Sequence, residues 1–383
     1  FLLSLNLKQI QADLGIAESH LGLLAGLVGA GALFALPVTL AADRFGRRRM
    51  LLFTILGYTL CTGATALSPN TAAFVIFQLL ARLFAGAESA IANVVIAEEF
   101  DARNRGWGIG ALGALAACGG GLAALAFAFV NLLPFGWRSL YAIGLVPLGI
   151  VAHLRRTLPE TARFDALERE RVEFHAAPPI APVRNLVRRY PGRLAMLAFT
   201  AFAIQIAMRP AVVFSSKFLQ DVHGWSPGHV TLLTIVGGMV GIAGNSAAGW
   251  LSDRRGRRPV AVLFSVGMLV GIVCFYLLRS PIGPFFWILQ LFGLSGTDVT
   301  LAAYGAEMFP TAVRSTASGV RVLCTTAGAV TGLALVSVLF GLTGSNWTAI
   351  AWLCAIGALS PLCVVALFPE TAGRRLEEIA PEH

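Results

Sequence analysis

Charge is what this sequence has least of. Only 13% of its 383 residues are Asp, Glu, Lys or Arg, about half the ~25% of an ordinary soluble chain. With 56% hydrophobic residues and a mean hydropathy of +0.74, that shortage excludes a water-exposed surface for most of the chain. Cysteine is sparse too: Cys61, Cys118, Cys274, Cys324, Cys354 and Cys363 all fall inside apolar runs, and none is spaced as CxxC. Buried thiols packing as small apolar groups are expected, and no metal site or cofactor. The six His stand near the ends of apolar runs or between them, which argues against a buried His proton relay. No phosphate-binding Gly-rich motif occurs, so ATP is not expected to drive anything. The longest polar stretch, Arg155–Arg193, is too short and too charged for a catalytic or sensory domain. A membrane-embedded enzyme or sensor is therefore the weakest reading.

What is present is a series of apolar runs long enough to cross a bilayer (~20 residues). They are Leu21–Leu40, Met50–Leu67, Ala72–Ala97, Gly106–Leu133 and Trp137–Leu154, then Leu194–Leu219, Pro227–Leu251, Val260–Leu278, Pro284–Tyr304, Val313–Phe340 and Trp347–Leu367. Eleven spans are expected. Phe1–Leu5 reads as the outer end of a twelfth, with helix 1 mostly missing from this chain.

Basic residues set the orientation. Along alternate loops, 22 of the 29 Lys and Arg fall on one side and only Lys8, Arg138, Lys217 and Arg279 on the other. The basic side is cytoplasmic, so both termini are expected there, in a bacterial inner membrane. The net charge of +9 follows from this bias and does not call for nucleic acid.

The chain also repeats itself. Asp43 precedes Glu160 of "LPETARF" by 117 residues, and Asp253 precedes Glu370 of "FPETAGRR" by 117 as well; "AEEFDARNRG" at Ala97 matches "AEMFPTAVRS" at Ala306, 209 residues on. The expected organisation is an N-terminal six-helix bundle over 1–157, a cytoplasmic linker over 158–192, a C-terminal six-helix bundle over 193–368 and a tail over 369–383. Parallel repeats of this kind place a solute site between the halves, near the bilayer midplane.

Two stretches carry a family likeness: "LAADRFGRRRM" at Leu40–Met50 and "GWLSDRRGRRPV" at Gly249–Val260. They resemble the major facilitator superfamily signature Gly-x-x-x-Asp-Arg-x-Gly-Arg-Arg/Lys, and the resemblance extends over essentially the whole chain. Asp43, Arg44, Gly46, Arg47 and Arg48 match in the first half, with Thr39 in place of the leading Gly. Gly249, Asp253, Arg254, Gly256 and Arg257 match in the second. The "PET" motifs, "RRLEEI" at Arg374 and "ESAIANVVIAEE" at Glu88 look like the sugar-porter and metabolite–proton symporter branches. The resemblance implies an all-α membrane protein, a twelve-helix fold of two six-helix bundles, and a monomeric secondary transporter, not an enzyme, working by alternating access. It implies that the motif residues, with Glu98, Glu160, Glu307 and Glu370, pair when an inner gate closes and part when it opens. The motif Asp, at a helix end, is expected against the N-terminus of a helix from its own half. Plain anchoring of the loops by Arg is the alternative, although anchoring needs neither Asp nor Gly.

Ionisable residues inside spans are functional candidates by default. The clear cases are Arg82, Glu88, Arg209, Asp298 and Arg321. The resemblance implies that the fourth, seventh and tenth helices line a central cavity. Helical spacing puts Arg82, Gly86, Ser89 and Asn93 on one stripe, Phe202, Gln205, Arg209 and Ser216 on another, and Gln290, Thr297 and Tyr304 on a third. Arg82, Asn93, Gln205, Arg209, Gln290 and Thr297 are therefore the expected substrate residues, with the two Arg suited to a carboxylate. A structural ion pair is the competing reading for Arg82. Glu88 and Asp298 are the expected proton-coupling residues, unless Asp298 simply pairs with Arg321 or Glu88 packs structurally against a neighbouring helix. A small organic solute, organic acids first and sugar-like metabolites second, is the expected cargo of a proton symporter. A proton-coupled exporter or drug antiporter is the alternative; the Gly-rich Gly110–Phe127 run lacks the Gly-Pro pair those carriers have.

Overall fold

In the computed structural model, which describes residues 1–99, 105–146 and 181–372, the regular structure is helical, with no strand among the described residues. The first helices are α1 (Leu2–Leu5), α2 (Leu7–Leu14), α3 (Leu21–Ala30), α4 (Ala35–Phe45), α5 (Arg47–Ala66), α6 (Thr71–Glu99), α7 (Arg105–Ala128) and α8 (Trp137–Ile143). The later ones are α9 (Ala181–Arg189), α10 (Pro191–Asp221), α11 (Pro227–Arg255), α12 (Arg257–Leu277), α13 (Phe286–Glu307), α14 (Thr311–Thr343), α15 (Asn346–Gly357) and α16 (Leu359–Leu367). The fold class is the all-α membrane protein that the apolar runs imply.

Nine stretches among the described residues are long and apolar enough to cross a bilayer, against the eleven expected. The run at 50–67 is helical as α5 but is too polar to count, with Arg47, Arg48 and Arg49 at its start and four Thr along it. Three of its hydroxyls are satisfied locally: Thr54, Thr59 and Thr65 donate to the Leu51, Ile55 and Cys61 carbonyls at 2.7–2.9 Å. The run at 137–154 is described only as far as α8 and the turn after it. The last run is two helices, α15 and α16, meeting at Ala358. The short amphipathic α2, which buries Leu7 and Ile10, was not anticipated. Nor was α9, which lies in the stretch read as linker.

The chain divides into two compact units: unit 1 is Phe1–Ile16 with Leu27–Ala177, and unit 2 is Ala17–Gly26 with Pro178–His383. In unit 1, Phe74, Trp137 and Tyr141 meet edge to face at 5.6–6.3 Å. Beside them Asp13 accepts from the Trp137 indole at 3.2 Å and pairs with Arg138, whose guanidinium also donates to the Ser68 carbonyl at 3.1 Å.

Unit 2 shows why its glycines and its helical proline go together. Pro210 stands inside α10 and has no N–H for the Ile206 carbonyl one turn back. α14 presses Gly332 against that carbonyl, where a Cβ would lie 2.3 Å from the oxygen; Gly328 meets the Phe202 carbonyl equally closely. With no hydrophobic drive between helices in lipid, such small-residue contacts let backbones approach and gain dispersion. The α12–α13 seam is built alike, with Gly271 on the Gln290 backbone and Gly293 on that of Met268. At one end of the unit, Leu186, Leu197, Tyr304, Phe309 and Phe368 form a buried cluster joining α9, α10, α13, α14 and the end of α16.

Candidate functional site

Both signature stretches break a helix at one glycine. α4 and α5 are separated by Gly46 at φ 98°, ψ 141°, and α11 and α12 by Gly256 at φ 101°, ψ 151°. Only glycine adopts this region at little cost, which is the physical content of the motif Gly. After each break an Arg reaches back five residues: Arg47 donates to the Ala42 carbonyl at 3.2 Å, and Arg257 to Ser252 Oγ at 2.5 Å.

In unit 2 the break assembles a charged cluster. The Arg257 guanidinium lies 3.0 Å from Glu307 and 2.7 Å from Asp253. Thr371 Oγ1 donates to the other Glu307 oxygen at 2.5 Å. Glu370 occupies the N-terminus of α12, accepting from the N–H groups of Arg257 at 2.7 Å and Arg258 at 3.2 Å, and from Thr371 and Ala372 at 3.0 Å. Partial burial pushes this carboxyl up, but the backbone N–H donors outweigh it and hold its pKa below the ordinary value. Sequence reasoning put the motif Asp at such an N-terminus. The structure puts Glu370 there, and Asp253, at the C-terminal end of α11, pairs with Arg257 with 66% of its side chain exposed. Arg254 does not meet a carboxylate among the described residues; it stacks on the Trp250 ring at 4.3 Å. Gly249 has nothing within 4 Å of its Cβ position, so close packing does not explain it here. At Thr39, its counterpart, the hydroxyl bonds to the Ala35 carbonyl at 3.1 Å. Ser252 and Thr371 went unnoticed in the sequence, although Thr371 completes the "PET" motif that was noticed.

In unit 1 the side chains of Asp43, Arg44 and Glu98, and Glu160 entirely, lie outside the described residues.

The polar residues within spans divide into seam and non-seam positions. On α6 the Cβ of Arg82 lies against Gly31, and Gly86 faces Ala35, so this part of the expected cavity stripe is a helix seam. Further along, Asn93 donates to the Ser89 carbonyl at 2.8 Å. Glu88 is half-buried, with no ion pair to a described residue. On α10 Gln205 is buried and Arg209, one turn on, half-buried. On α13 Thr297 is buried against α12, its hydroxyl 2.8 Å from the Gly293 carbonyl and 3.4 Å from Ser265 Oγ, which makes it a packing residue in this structure. Gln290 is fully buried, yet neither amide atom has a partner among the described residues, and the same holds for the Trp287 indole N–H one turn earlier. Asp298 is exposed. Arg321 acts on it electrostatically but lies against Gly305, and the two form no ion pair.

A sequence profile described as the Major Facilitator Superfamily matches residues 1–289 and 239–382. The chain is 27% identical over 374 residues to the probable 4-methylmuconolactone transporter of Cupriavidus pinatubonensis, covering 94% of this chain and 85% of that protein. It is 26% identical over 328 residues to the cis,cis-muconate transport protein of Acinetobacter baylyi, covering 83% and 78%. Among solved structures, the inward-open xylose transporter XylE from E. coli superposes with a TM-score of 0.76 at 17% identity, covering 99% of this chain and 94% of that one, a likeness of fold. With the profile spanning nearly the whole sequence and both signature glycines breaking a helix in the same conformation, the chain belongs to the major facilitator superfamily and is a membrane transporter, not an enzyme.

Proposed function

We propose that this transporter imports small organic acids together with protons by alternating access, as a monomer in a bacterial inner membrane with both termini cytoplasmic. The halves are 1–157 and 193–368, with the linker 158–192 and the tail 369–383 on the cytoplasmic side. The charge asymmetry of 22 against four basic residues supports the orientation. The relatives named for 4-methylmuconolactone and cis,cis-muconate support the cargo.

The observation that carries the reading is the buried, unpartnered Gln290 amide beside the unpartnered Trp287 indole N–H. Leaving such groups unpaired costs about 1–3 kcal/mol each, and a polar solute bonding to them offsets that cost. Gln205 and Arg209 on α10 of the same unit supply a second amide and a guanidinium, the group that matches a carboxylate bidentately. In unit 1, Asn93 and the guanidinium of Arg82, whose Cβ packs against Gly31, are proposed as substrate groups. Thr297 contributes by fixing α13 against α12, not by contact. Glu88 and Asp298 carry the proton, and the residues of the two signature stretches gate the inner side.

The test is binding of cis,cis-muconate to purified wild type, Arg209→Lys and Arg209→Gln by calorimetry. Affinity falls in that order, with Arg209→Gln at least tenfold weaker than wild type. Equal affinity in wild type and Arg209→Gln removes Arg209 as the carboxylate partner.

A further inference from the structure

At the end of unit 2 opposite the Arg257–Glu370 cluster, α10 finishes with a buried lysine. The Lys217 side chain is 3% exposed, and its ammonium meets two carboxylates: Asp221, one turn on in the same helix, and Glu18 at 2.8 Å. Glu18 opens the stretch Ala17–Gly26, which groups with unit 2 while the chain on either side of it groups with unit 1. That stretch is fastened at several points. Asn346 Nδ2 donates to Glu18 Oε2 at 3.0 Å and to its carbonyl at 3.2 Å, and the Leu23 N–H donates to Ser337 Oγ at 2.9 Å. Gly22 lies so close to α14 that a Cβ there would be 2.4 Å from the Leu333 carbonyl oxygen and 3.0 Å from the Val336 Cβ. The receiving surface is braced by aromatic rings. Trp347, next to Asn346, stacks on Tyr276 at 6.0 Å and meets Phe218 edge-on at 5.1 Å, while the Tyr276 hydroxyl donates to the Ala211 carbonyl at 2.6 Å.

The two carboxylates are not equivalent. Asp221 shares a helix with Lys217 and stays beside it whatever Ala17–Gly26 does. Glu18 arrives from another part of the chain. Glu18 is 44% exposed, so the cost of separation falls on the buried Lys217, whose charge would be left uncompensated, and Asp221 removes that obstacle. We infer that this cluster is an exchange latch of the transport cycle: Glu18 locks Ala17–Gly26 onto unit 2, and Asp221 keeps Lys217 paired when Glu18 leaves. The latch rests on the alternating-access reading above, in which this is the outer end.

The two isosteric neutralisations therefore act in opposite directions. Glu18→Gln weakens the closed state alone, because Lys217 keeps Asp221 in both states. Asp221→Asn leaves Glu18 as the carboxylate for Lys217, so opening strands the ammonium and the closed state gains. The reporter is Val336→Cys, buried under Gly22, in the full chain in lipid nanodiscs. Its maleimide labelling rate is read by peptide mass spectrometry so that the native cysteines do not interfere. Glu18→Gln labels several-fold faster than the Val336→Cys parent, and Asp221→Asn several-fold slower. Rates that move in the same direction, or either rate equal to the parent's, overturn the latch, since a merely structural role loosens the seam in both variants. Labelling is read without solute or gradient, so a failed uptake assay counts against the transport reading and not against this one.

Discussion

A Cβ on Gly256 would lie 2.6 Å from Oε2 of Glu370. The position thus carries two independent demands for glycine: a φ of 101° that L side chains rarely adopt, and room for the carboxylate that caps α12. Backbone conformation and anion seat are met by one missing side chain.

Gly256→Ala is accordingly expected to destabilise the protein by about 1–3 kcal/mol. Gly267→Ala, within α12 and with nothing inside 4 Å of its Cβ position, is neutral or stabilising. Thermal unfolding of the two purified variants checks the contrast. A Tm for Gly256→Ala at or above that of Gly267→Ala contradicts it.

The Glu370 carboxyl is pushed up by partial burial but held below its ordinary value of 4.5 by the backbone N–H groups of Ala372, Arg257, Arg258 and Thr371. A depressed folded-state pKa contributes stability that is fully present above the unfolded value and is lost as pH falls through the folded one. The Tm gap between wild type and Glu370→Gln is therefore constant through neutral pH and closes as pH drops below 4.5. A gap that widens in acid means the N–H groups do not hold the charged form.

Much of the architecture was legible because lipid leaves few choices. A backbone in hydrocarbon must satisfy its own hydrogen bonds, so apolar runs read directly as helices. The 117-residue spacing from Asp43 to Glu160 and from Asp253 to Glu370 exposed the repeat. Period alone says which residues share a face, not what that face meets. Gln290 and Thr297 do share a stripe, but Thr297 spends its hydroxyl on Gly293 and Ser265. Glu370 reads as a carboxylate near Arg residues, yet its partners are backbone N–H groups, those of Arg257 and Arg258 more than 110 residues away in the chain, which no side-chain pattern records. Lys217 looked like an outer-loop charge because nothing in sequence shows that α10 runs on to Asp221 and buries it.

The sequence motif stresses Asp253, and the geometry stresses Glu307. Asp253 is 66% exposed, and Glu307 is 18% exposed with both oxygens bonded. Exposed pairs contribute about 0–1 kcal/mol, whereas removing a bonded, shielded partner costs about 1–3 kcal/mol. Asp253→Asn should leave the Tm nearly unchanged and Glu307→Gln should lower it, each read by thermal unfolding. The reverse order would mean that Asp253, not Glu307, is the structural partner of Arg257.

Proton-driven transport of an organic acid is decided by cis,cis-muconate flux in proteoliposomes carrying wild type or Glu88→Gln. Glu88, the proposed proton carrier, has no cationic partner among the described residues. Wild type should accumulate the acid against its concentration when an inward proton gradient is imposed. Glu88→Gln should lose that accumulation yet still exchange the acid at equal pH, because exchange needs no net proton movement. Wild-type liposomes that show no gradient-driven accumulation, or Glu88→Gln liposomes that accumulate as fully as wild type, contradict the account.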